Sequence, residues 1–251
     1  MPYRGICIGF VSGKGGTGKT CLSAGIGAAL AASGHRTLCV DCDTTFRNLD
    51  LALGLSELAL MDFSDVISGR CTLEDAAVEH PARPGLFLLN APVSGGDTVT
   101  PTEMNALAAH IRHNFDFCLL DAPPGMGEGF SLVRGAAERI LLVAEMNPLA
   151  VRDAQRVVME LDAFPPGDAR LIVNRVRRSP FRRAEVTVDD IMDAVGLPLA
   201  GLVPDDETVS EALRRGVPVT LARPDSVAAR ACKNIARRVA GEAVPLPRLY
   251  R

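Results

Sequence analysis

Tryptophan is absent from the 251 residues, and tyrosine occurs only twice. The core must therefore be built mainly from aliphatic side chains, and 47% of the chain is hydrophobic. An excess of charge of one sign is also lacking: 27 Lys and Arg stand against 30 Asp and Glu, a net of −3. Such a balance gives no chain-wide electrostatic footprint for nucleic acid. No apolar run reaches the ~18 residues that a membrane-spanning helix needs. The apolar stretch near the N-terminus, GICIGFV, is too short for a secretory leader and runs straight into a glycine-rich loop. The seven cysteines are odd in number, and several sit in apolar runs, where a thiol acts as a small hydrophobe. That usage fits a reducing compartment. Cys39 and Cys42 form a C-x-x-C, but no second pair follows at zinc-site spacing. These absences set the expectation of a soluble, cytoplasmic protein.

What is present is an alternation. Short β-branched runs suggest strands at Ile6 to Val11, Arg36 to Val40, Leu86 to Leu89, Phe115 to Leu120, Arg139 to Ala144, Ala169 to Val173 and Leu199 to Val203. FCLLD, ILLVAE and RLIVN are apolar on consecutive positions, as in parallel strands buried on both faces. Helical patterns fall at Gly18 to Ala32, Thr102 to His113, Ala150 to Leu161, Thr187 to Ala194, Thr208 to Arg215 and Ser226 to Val239. Strand–helix alternation of this kind predicts an α/β fold, a doubly wound, mostly parallel sheet with helices on both faces. The Pro/Gly-rich points at 81–85, 91–96 and 165–167 are spaced like loops rather than domain linkers. One domain is expected over residues 1–241, with a short tail at 242–251.

The loop between the first strand and the first helix reads Gly13-Lys14-Gly15-Gly16-Thr17-Gly18-Lys19-Thr20. It fits G-x-x-x-x-G-K-[ST] without a mismatch. Glycines let successive N–H groups turn toward phosphates, and the helix N-terminus adds partial positive charge. The pattern assigns Lys19 to the β- and γ-phosphates and the Thr20 hydroxyl to Mg²⁺. ATP and Mg²⁺ are the expected ligands. Asp41 and Asp43 follow the second strand in VDCDTTFRNLDLALGL, and Asp121 ends FDFCLLD. Carboxylates at the carboxyl ends of parallel strands face the ligand crevice, and an apolar strand ending in Asp is the pattern of a Mg²⁺-associated carboxylate.

Lys14 is not required by a generic phosphate loop. GKGGTGKT resembles the deviant phosphate loop of the MinD/ParA family of P-loop ATPases. The resemblance covers about residues 4 to 222 and leans toward the MinD branch. It implies that Lys14 reaches across a nucleotide-sandwich homodimer to the partner's phosphates. It implies that Asp43, in the D-x-D-x-x-x-R-N-L-D pattern, orients or deprotonates the attacking water, that Asp41 supports the Mg²⁺ environment, and that Asn48 belongs to a nucleotide-responsive loop. Pro123-Pro124-Gly125 resembles the second switch, with the Gly125 N–H sensing the γ-phosphate. Asn174, Arg175, Pro204 and Asp206 fall where the family surrounds the adenine. Two departures stand out: Cys21 replaces a Thr that touches the α-phosphate, and Gly127-Glu128 follows where relatives often carry Glu two residues after the switch glycine.

The implied function is an ATP-hydrolysing spatial regulator that places the division site, cycling on and off a membrane or partner under a protein activator or cargo. A cargo- or DNA-partition ATPase is the alternative. Family members end in an amphipathic membrane helix, whereas this tail, EAVPLPRLYR, carries Pro245 and Pro247 and offers only Leu246, Leu249 and Tyr250 for insertion. The tail is thus a weak membrane anchor, and peripheral attachment to the inner face of the cell membrane rests on avidity. Arg175, Arg177, Arg178, Arg182 and Arg183 form one basic run, too local to make nucleic acid the expected partner. A small-molecule kinase would need a lid absent from the pattern. A cluster-maturation ATPase would need a cysteine pair, for which Cys39 and Cys42 are the only candidates.

Overall fold

A computed structural model describes residues 5–93, 99–161, 164–165, 167–177 and 186–247. The strands are β1 Ile6–Val11, β2 Thr37–Asp41, β3 Val78–Glu79, β4 Leu86–Leu89, β5 Phe117–Asp121, β6 Arg139–Glu145, β7 Ala169–Val176 and β8 Leu199–Pro204. The helices are α1 Lys19–Ala32, α2 Leu49–Leu53, α3 Phe63–Ile67, α4 Leu73–Ala76, α5 Pro101–Asn114, α6 Glu128–Ala136, α7 Pro148–Glu160, α8 Val188–Val195, α9 Glu207–Arg214, α10 Val219–Ala222 and α11 Val227–Val239.

The strands form one eight-stranded sheet in the order β3-β4-β2-β5-β1-β6-β7-β8. Every pairing is parallel except β3 with β4. The doubly wound α/β expectation is met: two layers of apolar side chains cover the two faces of the sheet. One layer joins Cys7, Val11, Leu120 and Leu142 to α5, α6, α7 and α8. The other joins Ile8, Phe10, Leu119 and Leu141 to α1, α2 and α11. Small residues let α1 lie close on the sheet. A Cβ on Gly27 would come within 2.6 Å of the Cys39 sulfur, so the helix backbone rests directly on the side chains of the sheet. Among the described residues, no helix is long and apolar enough to cross a membrane.

Local chemistry sets the boundaries. Thr100 and Thr187 open α5 and α8 as capping boxes, with Pro101 in the first turn of α5. Asn147 and Ser226 accept from Ala150 and Ala229 to cap α7 and α11. Arg36 and Phe115 stay outside the strands that the apolar runs suggest for them. The Arg36 guanidinium lies over the rings of Phe87 and Phe115, about 5 Å from each centroid, and the Arg36 N–H donates to the Asp116 carboxylate. Helix α6 escaped the sequence pattern because Gly127, Gly129 and Gly135 read as breakers. Gly129 sits against Pro123 and the Cys42 carbonyl, and Gly135 against Pro101. The short α2, α3, α4 and α10 carry too few turns for a periodic signal.

Candidate nucleotide site

β1 lies at the centre of the sheet, with β5 on one side and β6 on the other. Its carboxyl end runs into the glycine loop, so the neighbouring strands deliver their last residues to the same place. Asp41 of β2 is in register with Asp121 of β5, and Glu145 of β6 with Asn174 of β7. Acidic and amide side chains separated by up to 133 positions are thereby aligned beside one loop by parallel pairing alone.

Lys19 and Thr20 converge on one carboxylate. Lys19 Nζ is 2.9 Å from Asp121 Oδ1, and Thr20 Oγ1 donates to Asp121 Oδ2 at 2.6 Å. Lys19 and Asp121 are both buried. A buried ammonium, a hydroxyl and a carboxylate thus sit within one hydrogen-bond step of each other at a helix N-terminus. Thr20 and Asp121 are hard oxygen donors of the kind Mg²⁺ takes beside phosphate, and Lys19 is a buried cation beside them, so the residues fit both a phosphate and its metal. The loop that carries them is braced from β7: Asn174 Nδ2 donates to the Thr17 carbonyl at 2.7 Å. Gly16 and Gly18 hold φ of 79° and 85°, in the region that favours glycine. A Cβ on Gly13 would meet the backbone of Asp153 in α7 at 2.6 Å. Ser12 Oγ donates to the Lys14 carbonyl, and the Gly125 N–H donates to the Ser12 carbonyl at 3.0 Å.

The aspartates after β2 have different surroundings. Asp41 is fully buried, and its two oxygens accept from the Asp43 and Leu49 N–H groups at 2.8 and 2.9 Å. It spans the whole loop from 43 to 49 like a staple. Burial, with Asp121 on the next strand, pushes its carboxyl up to about 7. Asp43 accepts from the Thr45 and Phe46 N–H groups through Oδ1, and it lines the cavity beside the loop, as does Asn48.

That cavity is about 1070 Å³, ample for a nucleotide. Lys14, Gly15, Gly16, Thr17, Gly18, Lys19, Thr20 and Cys21 form one wall, and Arg175 lies on the rim. Burial pushes the Cys21 thiol up, so Cys21 faces the cavity as a neutral group. The opposite wall is Phe46, Leu51 and Leu58 together with Leu213, Arg214 and Gly216. None of these six was singled out from the sequence. Their only signal there was apolar residues that proved exposed: Phe46 at 66%, Leu51 at 55% and Leu58 at 54%. Pro204 and Asp206 are not part of the lining. Asp206 instead caps α9 through Thr208 and ties it to α11 by accepting from the Ala228 N–H.

Residues 8–219 match the model of the CobQ/CobB/MinD/ParA nucleotide binding domain. The chain belongs to this family. It is similar to the septum site-determining protein MinD of Synechocystis, with 36% identity over 236 residues, 93% of this chain and 89% of the relative. MinD of Bacillus subtilis is 35% identical over 249 residues, covering 96% and 91%. Among solved structures, the MinC:MinD cell division protein complex of Aquifex aeolicus superposes with a TM-score of 0.88 at 34% identity, covering 97% of this chain and 98% of that one. MinD of Pyrococcus horikoshii, complexed with Mg-ADP, gives 0.81 at 28%, covering 93% and 95%.

Arg175 pairs with Glu145 and Arg177 with Asp205, while Arg178, Arg182 and Arg183 lie outside the described residues, as do Leu249 and Tyr250 of the tail and part of the 91–96 loop. Cys39 and Cys42 are fully buried in opposite apolar layers of the sheet. The C-x-x-C pair is therefore split between two faces. Residues 242–247 have no regular structure. Arg238 pins this stretch beside β8, donating to the Val244 and Pro245 carbonyls and to the Ala200 carbonyl.

Proposed function

We propose that this protein is a MinD-like ATPase that dimerises around ATP and Mg²⁺ and hydrolyses ATP to cycle a division-site regulator between two states of assembly. The observation that carries the reading is the convergence of Lys19 and Thr20 on Asp121, with a second lysine, Lys14, at the mouth of the same cavity. Lys19 neutralises the β- and γ-phosphates. Thr20 and Asp121 would hold Mg²⁺, which when bound would offset phosphate charge. Asp41 keeps the 43–49 loop in place, and Asp43 orients the water. The loop N–H groups from Gly13 to Thr20 cradle the phosphates. Cys21 meets the α-phosphate side as a weak donor, and Asn48 registers the γ-phosphate; Gly125 joins it only once its N–H leaves the Ser12 carbonyl to which it donates in this structure. Arg175 stands at the rim of the cavity from β7, while Asn174 braces the phosphate loop through the Thr17 carbonyl and lies, like Pro204 and Asp206, outside the lining.

Lys14 completes the site from the second subunit. A cation supplied in trans stabilises charge at the γ-phosphate only in the dimer, so ATP is the ligand that shifts a monomer–dimer equilibrium. Residues 1–241 would act as one ATPase unit, with 242–251 as an appended tail. The MinC:MinD assembly of the Aquifex relative supports a protein partner for this chain as well. The membrane, if it is a partner, would be held by a tail that Arg238 partly engages.

Steady-state phosphate release tests this reading. Specific activity should rise with protein concentration in wild type and fall by at least about 100-fold in Lys19→Ala. A rate per subunit that is constant over a wide concentration range would contradict a site completed by a second copy.

A further inference from the structure

Glu145 ends β6 beside the phosphate loop, and the catalytic scheme leaves it without a task. Its carboxylate holds two cations at once. Lys14 Nζ lies 3.2 Å from Oε2, and Arg175 Nη1 lies 2.9 Å from Oε1. Asn147 Nδ2 donates to Oε2 at 3.4 Å, fixing the carboxylate from a third direction. The Glu145 side chain is 15% exposed, against 34% for Lys14 and 53% for Arg175, so the anion is the embedded partner and the cations come to it. Arg175 does so from a left-handed backbone, φ 53°, at an irregularity in the β7–β8 pairing between Val173 and Val176. A non-glycine residue in that region costs about 1–2 kcal/mol, and a bulge re-aims the side chains it carries. Here it sends Asn174 to the phosphate loop and Arg175 to Glu145. Lys14 and Arg175 both line the nucleotide cavity.

We propose that Glu145 is a positioning residue that docks Lys14 on its own subunit and thereby sets the protein concentration at which ATP draws two subunits together. The proposal rests on the dimeric reading above. In a single subunit the Lys14 ammonium lies on Glu145 and is withheld from any partner. To serve the partner's phosphates it must leave that carboxylate. Arg175 stays behind, so the release does not strand an embedded anion without a cation. A two-fold dimer releases two lysines, and the docking preference therefore enters the dimer constant squared. ATP is the trigger because its phosphates offer Lys14 more negative charge than the single carboxylate it leaves.

The test uses the full chain as wild type, Glu145→Gln and Glu145→Asp. Gln keeps the shape and removes the charge, whereas Asp keeps the charge. Two readouts are taken: acetylation of Lys14 in nucleotide-free protein by mass spectrometry, with Lys233 as internal reference, and the dimer dissociation constant with Mg²⁺ and a non-hydrolysable ATP analogue by sedimentation. Glu145→Gln is expected to raise Lys14 labelling about two- to fivefold, the range a partly exposed ion pair supports. It should tighten the dimer by the square of that factor, about four- to twenty-five-fold, and Glu145→Asp should restore most of the wild-type behaviour. Equal Lys14 labelling in wild type and Glu145→Gln overturns the docking. Raised labelling with an unchanged or weaker dimer overturns the control of assembly. If wild type gives no dimer with the analogue at any concentration, the dimeric reading falls and the assembly claim with it, while the labelling still decides whether Glu145 docks Lys14.

Discussion

Asn174→Ala separates two roles for a residue that the family resemblance puts near the adenine and the coordinates put against the phosphate loop. The Asn174 amide donates to the Thr17 carbonyl at 2.7 Å in a buried setting, and the same amide nitrogen lies where a Cβ on Gly18 would fall. Its removal deletes a buried hydrogen bond and leaves a gap beside the loop. The expected loss is about 1–3 kcal/mol. For a chain of this length each kcal/mol lowers Tm by roughly 2–4 °C, so the nucleotide-free protein should melt about 2–12 °C earlier. A loosened loop should weaken every phosphate-bearing ligand alike. Calorimetric titration should show ATP, GTP and ADP losing about three- to tenfold in affinity, each by the same factor, since one lost bond of about 1 kcal/mol is worth that much. An adenine reader behaves differently. Loss of ATP and ADP affinity together, with GTP unchanged and Tm unchanged, would refute the bracing role.

Three further outcomes follow from single features. Cys21→Thr gives the cavity wall a hydroxyl donor in place of a weak thiol, and a net hydrogen bond of about 0.5–1.5 kcal/mol should tighten ATP about two- to tenfold in the same titration. Gly54 holds φ 67°, and a Cβ there would run into the Gly216 carbonyl. Gly54→Ala should therefore destabilise by more than about 2 kcal/mol, read as a lower urea midpoint. In nucleotide- and Mg²⁺-free protein, Asp41 keeps its proton up to about pH 7 in the folded state, against an ordinary 3.8. The unfolded chain releases that proton earlier, so the contribution of Asp41 to stability declines as pH rises from about 4 to about 7 and is level above that. Urea midpoints across this range should show that slope in wild type and a flatter one in Asp41→Asn.

The fold was legible where periodicity and burial agree. The consecutive apolar residues of FCLLD and ILLVAE need cover on both faces, and β5 and β6 are interior strands with helices on each side. The phosphate loop was legible because its chemistry is local: eight adjacent residues carry the backbone turns, the cation and the hydroxyl. The carboxylates at strand ends were legible for a similar reason, since parallel pairing brings Asp41 and Asp121 together once the strands are known. Glu145 has the same placement on β6 and was passed over because no motif marks it. What stayed hidden is tertiary. The far wall of the cavity includes Leu51 and Leu58 and also Leu213, over 150 positions away, brought to one wall where Gly54 and Gly216 meet backbone to backbone. Helix α6 stayed hidden because its glycines serve close packing, which a propensity reading scores as a break.

The claim that ATP joins two copies of this chain is tested most directly by light scattering on Asp43→Ala, in which hydrolysis should be blocked while Lys14, Lys19, Thr20 and Asp121 remain. With ATP and Mg²⁺ the account predicts a species of twice 26.6 kDa, absent with ADP and absent when Lys14→Ala is added. A mass that stays at one chain with ATP, or a dimer that forms equally with ADP, would contradict it.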